Sequence, residues 1–219
     1  MIDIHTHILP NVDDGSKSLD ISKKLIEEDI KYGVDTIILT PHQNKLNLNK
    51  ELIINEFNKF KNEVKDYNIN IYLGSEIYYY DELLKDLDQN KIITMNNTKY
   101  LLIEFSTMNK TNIIDSLYDI KLKGYKVIIA HIERYSYLSF HDIINIHKEG
   151  YLIQVNTKSF ERKEHKKLIK FLLKNDLIDF ISTDCHDLDK RNVSYEKCLK
   201  ILKKYPDIYN KLINNKVFE

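Results

Sequence analysis

Ile2-Asp-Ile-His5-Thr-His7 near the start of the chain and Ile181-Ser-Thr-Asp184-Cys-His186 near its end decide the reading of the fold. Side chains alternate faces along an extended strand, so His5 and His7 point the same way, as do Asp184 and His186. Two same-face pairs of nitrogen and oxygen donors suggest that both ends of the chain close onto one polynuclear metal site. The sequence between them repeats the pattern. His42 follows the apolar run Ile37-Ile-Leu-Thr-Pro41, Glu76 follows Ile71-Tyr-Leu-Gly-Ser75, Glu104 ends Leu101-Leu-Ile103, and His131 ends Val127-Ile-Ile-Ala130. A charged residue directly after a buried run loses hydration unless it is paired or coordinated. Salt bridges could explain one or two of these positions, but explaining all of them that way is a strain. A metal-dependent hydrolase is the leading reading.

Strand-like and helix-like segments alternate throughout. The strand candidates are Ile2–His5, Thr36–Thr40, Ile69–Gly74, Tyr100–Glu104, Val127–Ala130, Leu152–Val155 and Ile178–Ser182. They are short and apolar on both faces, as buried parallel strands are. Amphipathic stretches run between them at Leu19–Tyr32, Glu51–Tyr67, Asn112–Lys123, His141–Lys148 and Lys163–Asn175. Repeated βα units imply a parallel sheet, either open or closed into a barrel. The donors choose between these, because each strand ends on one of them or, once, on Asn156. In a barrel all strand C-termini ring one mouth, whereas an open sheet would spread them too far apart. A barrel of about seven βα units is expected, with Tyr195–Asn215 adding one or two closing helices.

Length and composition fit this. The 219 residues suit one α/β barrel, so 1–219 is expected to form a single domain. Thirty-three basic residues balance 33 acidic ones, which removes the bulk electrostatic case for nucleic acid or an acidic membrane surface. No basic-then-apolar leader opens the chain and no apolar run approaches a membrane span, so a cytoplasmic location is expected. The two cysteines, Cys185 and Cys198, have no disulfide or C-x-x-C spacing, which agrees with free thiols.

The segments Ile2-Asp-Ile-His-Thr-His-Ile8, Val12-Asp-Asp-Gly15, Ser75-Glu-Ile-Tyr-Tyr79, Ala130-His-Ile-Glu-Arg-Tyr135 and Ser182-Thr-Asp-Cys-His186 resemble the polymerase-and-histidinol-phosphatase (PHP) superfamily. Within it they closely resemble the bacterial tyrosine-protein phosphatases of the CpsB/CapC/YwqE type, in order over nearly the whole chain. The resemblance implies a distorted, TIM-like (β/α)7 barrel with a trinuclear metal centre. By that likeness His5, His7, Glu76 and Asp184 hold the first ion. Glu76 bridges to a second, shared with Glu104 and His131, while Asp14, His42 and His186 hold the third. Asp13-Asp14-Gly15 is also ordinary turn chemistry, and from sequence Asp13 and Asp14 could exchange roles. Nitrogen and oxygen donors without thiolate point to manganese, iron or catalytic zinc, manganese first. Arg134 and Arg191 match family arginines, and bidentate guanidinium suits a phosphoryl group.

The resemblance implies hydrolysis of phosphotyrosine on the tyrosine-rich tail of a bacterial tyrosine kinase that controls capsule or exopolysaccharide synthesis. A small-molecule phosphomonoesterase, such as a histidinol-phosphate phosphatase, keeps the fold and changes the substrate. A catalytically silent metal-binding module is the third possibility, yet no ligand or arginine is missing. Cys185-His-Asp-Leu-Asp-Lys-Arg191 formally fits the C-x5-R pattern of thiol-dependent phosphatases. Its two aspartates and lack of glycine are unsuited to cradling a phosphate dianion, and alternation turns Cys185 away from the metals. Tyr78-Tyr79-Tyr80 either stack on a substrate ring or pack the mouth, and packing is favoured for at least two of them. Lysine-rich Lys163–Lys174 reads as a solvated helix face.

Overall fold

The computed structural model describes residues 1–215 and 217–218; the expected domain, 1–219, also takes in Lys216 and Glu219, which lie outside the described residues. Nine short strands run in the order β1 (Ile2–Thr6), β2 (Thr36–Leu39), β3 (His42–Gln43), β4 (Asn70–Leu73), β5 (Glu76–Tyr78), β6 (Tyr100–Glu104), β7 (Lys126–Ile129), β8 (Leu152–Asn156) and β9 (Phe180–Ser182). Every strand pairing is parallel. Helices α1 (Leu19–Lys31), α2 (Lys50–Glu63), α3 (Leu83–Asp88), α4 (Ile113–Leu122), α5 (Phe140–Lys148), α6 (Lys166–Lys174) and α7 (Glu196–Leu202) follow the successive wall strands, and α8 (Pro206–Ile213) comes last. The result is a distorted α/β barrel.

Patterning alone gives unbroken strands at Thr36–Thr40 and Ile69–Gly74, but each wall is broken in two. The lower halves pair as β1-β2-β4, and the upper halves continue as β3-β5-β6-β7-β8-β9. Pro41 has no N–H with which to extend the β2 ladder. At Gly74 a Cβ would lie 2.6 Å from Met95 Sδ and 3.1 Å from Ile38 Cγ2, so glycine lets the wall pass close to both side chains. A tight turn at Met95–Asn97 packs against β4 and β6, where the lower walls no longer pair. The barrel closes between its first and last strands through Thr6 and Cys185. His7 N–H donates to Cys185 O at 2.9 Å, and Asp184 N–H donates to His5 O at 2.8 Å.

Two apolar layers follow from strands buried on both faces. Ile2, Ile4, Ile38, Leu102, Ile128 and Phe180 fill the barrel interior with Met95 and Phe218. The other strand face packs with the helices, using residues such as Ile37, Leu101, Val127 and Leu172. The helices begin where side-chain caps allow: Ser18, Asn49, Asn112 and Ser139 each accept a backbone N–H of the first turn. Helix α3 was not among the segments read from sequence; at six residues it is too short to show periodicity. Helix α6 turns Ile169, Leu172 and Leu173 inward and leaves its lysines outward, as a solvated face requires.

Candidate metal centre and phosphate site

The mouth of the barrel gathers the strand-end donors. His5, His7 and His131 are wholly buried, and Glu76, Asp184 and His186 are nearly so. Glu76 lies at the centre. Its Oε2 is 3.2 Å from His5 Nε2, 3.2 Å from His7 Nε2 and 3.1 Å from His42 Nδ1, while its Oε1 is 2.9 Å from His131 Nε2. Asp184 Oδ1 stands 3.6 Å from both His5 Nε2 and His7 Nε2. Glu104 Oε1 is 3.5 Å from His131 Nε2. Asp14 Oδ1 is 3.2 Å from His42 Nε2 and 3.6 Å from His186 Nε2. The nine residues singled out in the sequence are thus together. Four groupings could each hold an ion: His7, Asp14, His42 and His186; His5, His7 and Asp184; His5, Glu76 and His131; and His42, Glu76 and Glu104. His5, His7, His42 and Glu76 recur, so these four cross the family's three-ion partition.

The second ring of contacts turns the donors inward. Gln154 Oε1 accepts the His131 backbone N–H at 2.6 Å, so it is an oxygen and His5 Nδ1, 3.2 Å away, is its donor. Asp13 Oδ2 lies 2.7 Å from His7 Nδ1. Both Nε2 atoms are then lone-pair donors, yet they face one another at 3.3 Å. Two such lone pairs repel unless a cation or proton lies between them. Ligands about 2.1 Å from one ion stand about 3.0–3.5 Å apart, the spacing seen here. His186 follows the same logic: its Nδ1 donates to Asp184 O at 3.0 Å, and its buried Nε2 has no hydrogen-bond partner. The donor set fits divalent ions. Such outer partners fix ring tautomers and strengthen ligands.

Electrostatics agree. Burial alone would lower the His7 imidazole, but hydrogen bonds to Asp13 and Glu76 hold it up at about 10 without an ion. Burial opposes ionisation of Glu76, but the His5 charge and bonds from His131, His42 and His5 hold it well below the carboxylate range. Asp184 is likewise held low against burial by His5 and Arg134. Glu104 moves the other way, to about 7, through burial and the Glu76 charge. One carboxylate too many therefore shares the pocket, and added positive charge would ionise it.

The turn before α1 separates the two aspartates that sequence left interchangeable. The Asp13 side chain is shielded behind His7 and also accepts the N–H groups of Gly15 and His42, at 2.9 and 3.1 Å. Asp14 stands at the mouth toward His42, His186 and Arg191. Gly15 is required here, because a Cβ would lie 2.2 Å from His7 O. Asp13→Ala is expected to weaken metal affinity by ~10–100-fold, as loss of an outer partner does, measured by competition with a chelator. Unchanged affinity would show that Asp13 does not orient His7.

Gln154 and Asn156 are the contributors that sequence reading did not assign. Gln154 Nε2 donates to Asn156 Oδ1 at 2.8 Å, and Asn156 Nδ2 donates to Asp184 Oδ2 at 2.9 Å. Their signal was present: polar residues two apart on one face of the apolar strand Leu152-Ile-Gln-Val-Asn156. Asp184 and His186 face the site for a reason other than alternation. The strand ends at Ser182, and Asp184 adopts a left-handed φ of 52°, as His131 does at 31°. Such conformations cost energy and concentrate at functional sites.

Arg134 and Arg191 both reach Asp184 from turns beyond β7 and β9. Arg134 Nη2 bonds Asp184 Oδ2, Arg191 Nη2 lies 3.0 Å from Oδ1, and Arg191 Nη1 lies 3.3 Å from Asp14 Oδ2. A tyrosine-lined groove at the mouth includes Asp14, His42, Leu46, Glu104 and Tyr78–Tyr80. Tyr79 stacks on Phe105 with centroids 5.1 Å apart, and Tyr80 OH donates to Asp86 at 2.9 Å. Packing therefore engages those two, and Tyr78 is the most exposed of the three.

The C-x5-R segment is not a phosphate cradle. Asp187 Oδ1 accepts the N–H groups of Asp189 and Arg191, at 2.7 and 3.0 Å, and His186 N–H donates to Arg191 O at 2.7 Å. Cys185 is fully buried in the core, and burial pushes its thiol well above the usual range. Cys185→Ser and Cys185→Ala are expected to keep most phosphatase activity, while chelation abolishes it. A folded, fully metallated but dead Cys185→Ala would revive thiol catalysis.

The family profile described as capsular polysaccharide synthesis, CpsB/CapC, matches residues 1–217. The tyrosine-protein phosphatase CpsB of Streptococcus agalactiae is 34% identical over 220 residues, covering 92% of this chain and 89% of that protein. The tyrosine-protein phosphatase YwqE of Bacillus subtilis is 33% identical over 214 residues, covering 93% and 84%. A solved chain from the crystal structures of YwqE from Bacillus subtilis and CpsB from Streptococcus pneumoniae, described as unique metal-dependent tyrosine phosphatases, superposes with a TM-score of 0.86 at 28% identity, covering 97% of this chain and 95% of that one. A TatD-family hydrolase of Entamoeba histolytica, at 13% identity and a TM-score of 0.57 over 97% and 92%, shares the fold alone. With the family profile matched over residues 1–217 and the strand-end donors gathered at one barrel mouth, this chain belongs to the CpsB/CapC family.

Proposed function

We propose that this chain, as one catalytic domain over 1–219, is a metal-dependent protein-tyrosine phosphatase. Its substrate is the phosphorylated tyrosine-rich tail of a bacterial tyrosine kinase that controls capsule or exopolysaccharide synthesis, and it acts in the cytoplasm. The names of its relatives support the activity, and the family description supports the pathway. No helix among the described residues is long and apolar enough to cross a membrane. The observation that carries the reading is the meeting of nine nitrogen and oxygen donors with two guanidinium groups at one barrel mouth.

We assign His5, His7, Asp14, His42, Glu76, Glu104, His131, Asp184 and His186 as ligands of three divalent ions, manganese first, with iron or zinc as alternatives. When bound, the ions supply hydroxide as nucleophile at neutral pH and neutralise phosphoryl oxygens. Arg134 and Arg191 bind the remaining phosphoryl oxygens, where charge accumulates as the group transfers. Asp184 pre-positions both guanidinium groups, so little reorganisation is needed when substrate arrives. A tyrosine phenol ionises near pH 10, so it departs with less need of a proton than an alkyl alcohol does. The exposed rim at Leu46 and Tyr78 leaves the mouth open to a protruding polypeptide.

Profiling phosphotyrosine peptides against small phosphomonoesters such as histidinol phosphate, with metal content measured on the same sample, tests this. Higher kcat/KM on the peptides in a metal-loaded sample is expected. A preference for histidinol phosphate would move the chain to the small-molecule class, and no turnover by a fully metallated sample would make it a silent module.

A further inference from the structure

The cleft that contains Arg134 and Arg191 continues outward past them. Its volume is about 430 Å³, within the range of about 300–1,000 Å³ that holds drug-sized ligands and larger than one phosphoryl group needs. Lys158, Arg162, His165 and Lys190 line the outer part. Lys158 comes from the turn after β8, and its Nζ donates to Lys190 O at 2.7 Å, which ties that turn to the loop after β9. Burial lowers the basicity of His165, Glu164 opposes this, and the charges of Arg162 and Arg134 both add to it. His165 lines the same cleft as both the outer and the inner cations. Its Nδ1 is buried without a hydrogen-bond partner.

The carboxylates lining the cleft do not neutralise these outer cations. Asp184 is already taken by Arg134 and Arg191. Glu133 is engaged by hydrogen bonds, accepting from Ser159 Oγ at 2.7 Å and from Asn156 N–H at 3.1 Å. Glu161 and Asp187 lie near Lys158, but neither forms an ion pair with it among the described residues; Glu161 accepts from Ser194 Oγ at 2.6 Å and Asp187 from backbone N–H groups. Among the described residues Arg162 has only a solvent-exposed ion pair with Glu164 at 3.8 Å, a kind of pair that contributes little. The cleft thus carries unmatched positive charge beyond the reach of a single phosphoryl group.

We infer that the outer end of this cleft is a second anion subsite, formed by Lys158, Arg162, His165 and Lys190, which takes an anionic side chain of the substrate polypeptide while the scissile phosphoryl group lies at the inner end. The inference rests on the phosphatase reading above. A second phosphotyrosine and a glutamate or aspartate share the required chemistry. The preferred substrate class is a polypeptide with clustered negative charge rather than an isolated phosphotyrosine.

The test uses the full metal-loaded chain and peptides in which the residue one to four positions from a phosphotyrosine is phosphotyrosine, glutamate, tyrosine or glutamine. For at least one spacing, kcat/KM for the first cleavage is expected to rise about tenfold with a second anion, through KM, and the gain should shrink at high salt. Equal gains from phosphate and carboxylate assign a general anion site; a gain from phosphate alone assigns a phosphate site. Arg162→Glu and Lys190→Glu, both on exposed side chains, should collapse the ratio of anionic to neutral peptide. A ratio near one in the parent at every spacing, or a ratio that survives both substitutions, overturns the subsite while leaving the phosphatase reading intact. Turnover of p-nitrophenyl phosphate with none of any phosphotyrosine peptide overturns both.

Discussion

Replacing Glu76 by glutamine is expected to empty more than one metal position and to lower phosphatase activity by more than ~100-fold, beyond the 10–100-fold typical of losing an outer partner. The reason is its position. The two oxygens of one carboxylate lie within 3.2 Å of nitrogens from His5, His7, His42 and His131, so four of the assigned histidine ligands meet at this one side chain. Asp14 makes a useful comparison, because its side chain is largely exposed and its ion-pair contacts among the described residues are with His42, His186 and Arg191. Asp14→Asn should cost less metal and less activity than Glu76→Gln. Elemental analysis of both variants beside the parent measures this directly, and thermal melting of the metal-free proteins controls for folding. Three ions in the parent, with a larger deficit in Glu76→Gln than in Asp14→Asn, is the expected pattern. One ion or none in an active parent preparation would remove the basis for a bridging carboxylate.

The sequence showed which side chains meet more clearly than it showed how the backbone brings them together. His5, His42, Glu76, Glu104 and His131 were legible because a charged group at the end of an apolar strand has few stable explanations, and closing a barrel puts all such ends at one mouth. The breaks at Pro41 and Gly74 were not legible as changes of strand partner. A five-residue apolar run looks the same whether it pairs with one neighbour or switches between two, and Met95, whose sulfur lies close over Gly74, is far along the chain. Asp184 shows the limit of alternation: it faces the site through a left-handed backbone, a conformation that no periodicity encodes. Asp13 and Asp14 are adjacent and chemically identical, so only the fold around Gly15 assigns one to support His7 and the other to the mouth. Gln154 shows the converse, since its place on the inner face of β8 was readable but a neutral amide carries no obvious chemistry until His5 and His131 are beside it.

Removing either arginine tests the phosphate site apart from the metal site. Arg134 and Arg191 each place a guanidinium on Asp184, and each side chain is 36% exposed at the edge of the cleft. A guanidinium has five N–H donors, so contact with Asp184 leaves others free for phosphoryl oxygens. Arg134→Ala and Arg191→Ala are each expected to lower kcat by ~100-fold or more, from the few kcal/mol that charge-stabilising donors supply to a transition state. Metal content should survive, because either change removes a cation that competes with the ions for Asp184. Arg191→Ala also frees Asp14, so a modest rise in metal affinity is expected there. Lysine should restore activity only in part, since it cannot contact two oxygens from a planar fork. Vanadate, which resembles the transferring group, should bind both Ala variants more weakly than the parent. If both Ala variants hydrolyse phosphotyrosine peptide at the parent rate with metals in place, the arginines only neutralise Asp184 and the phosphoryl group is bound elsewhere in the mouth.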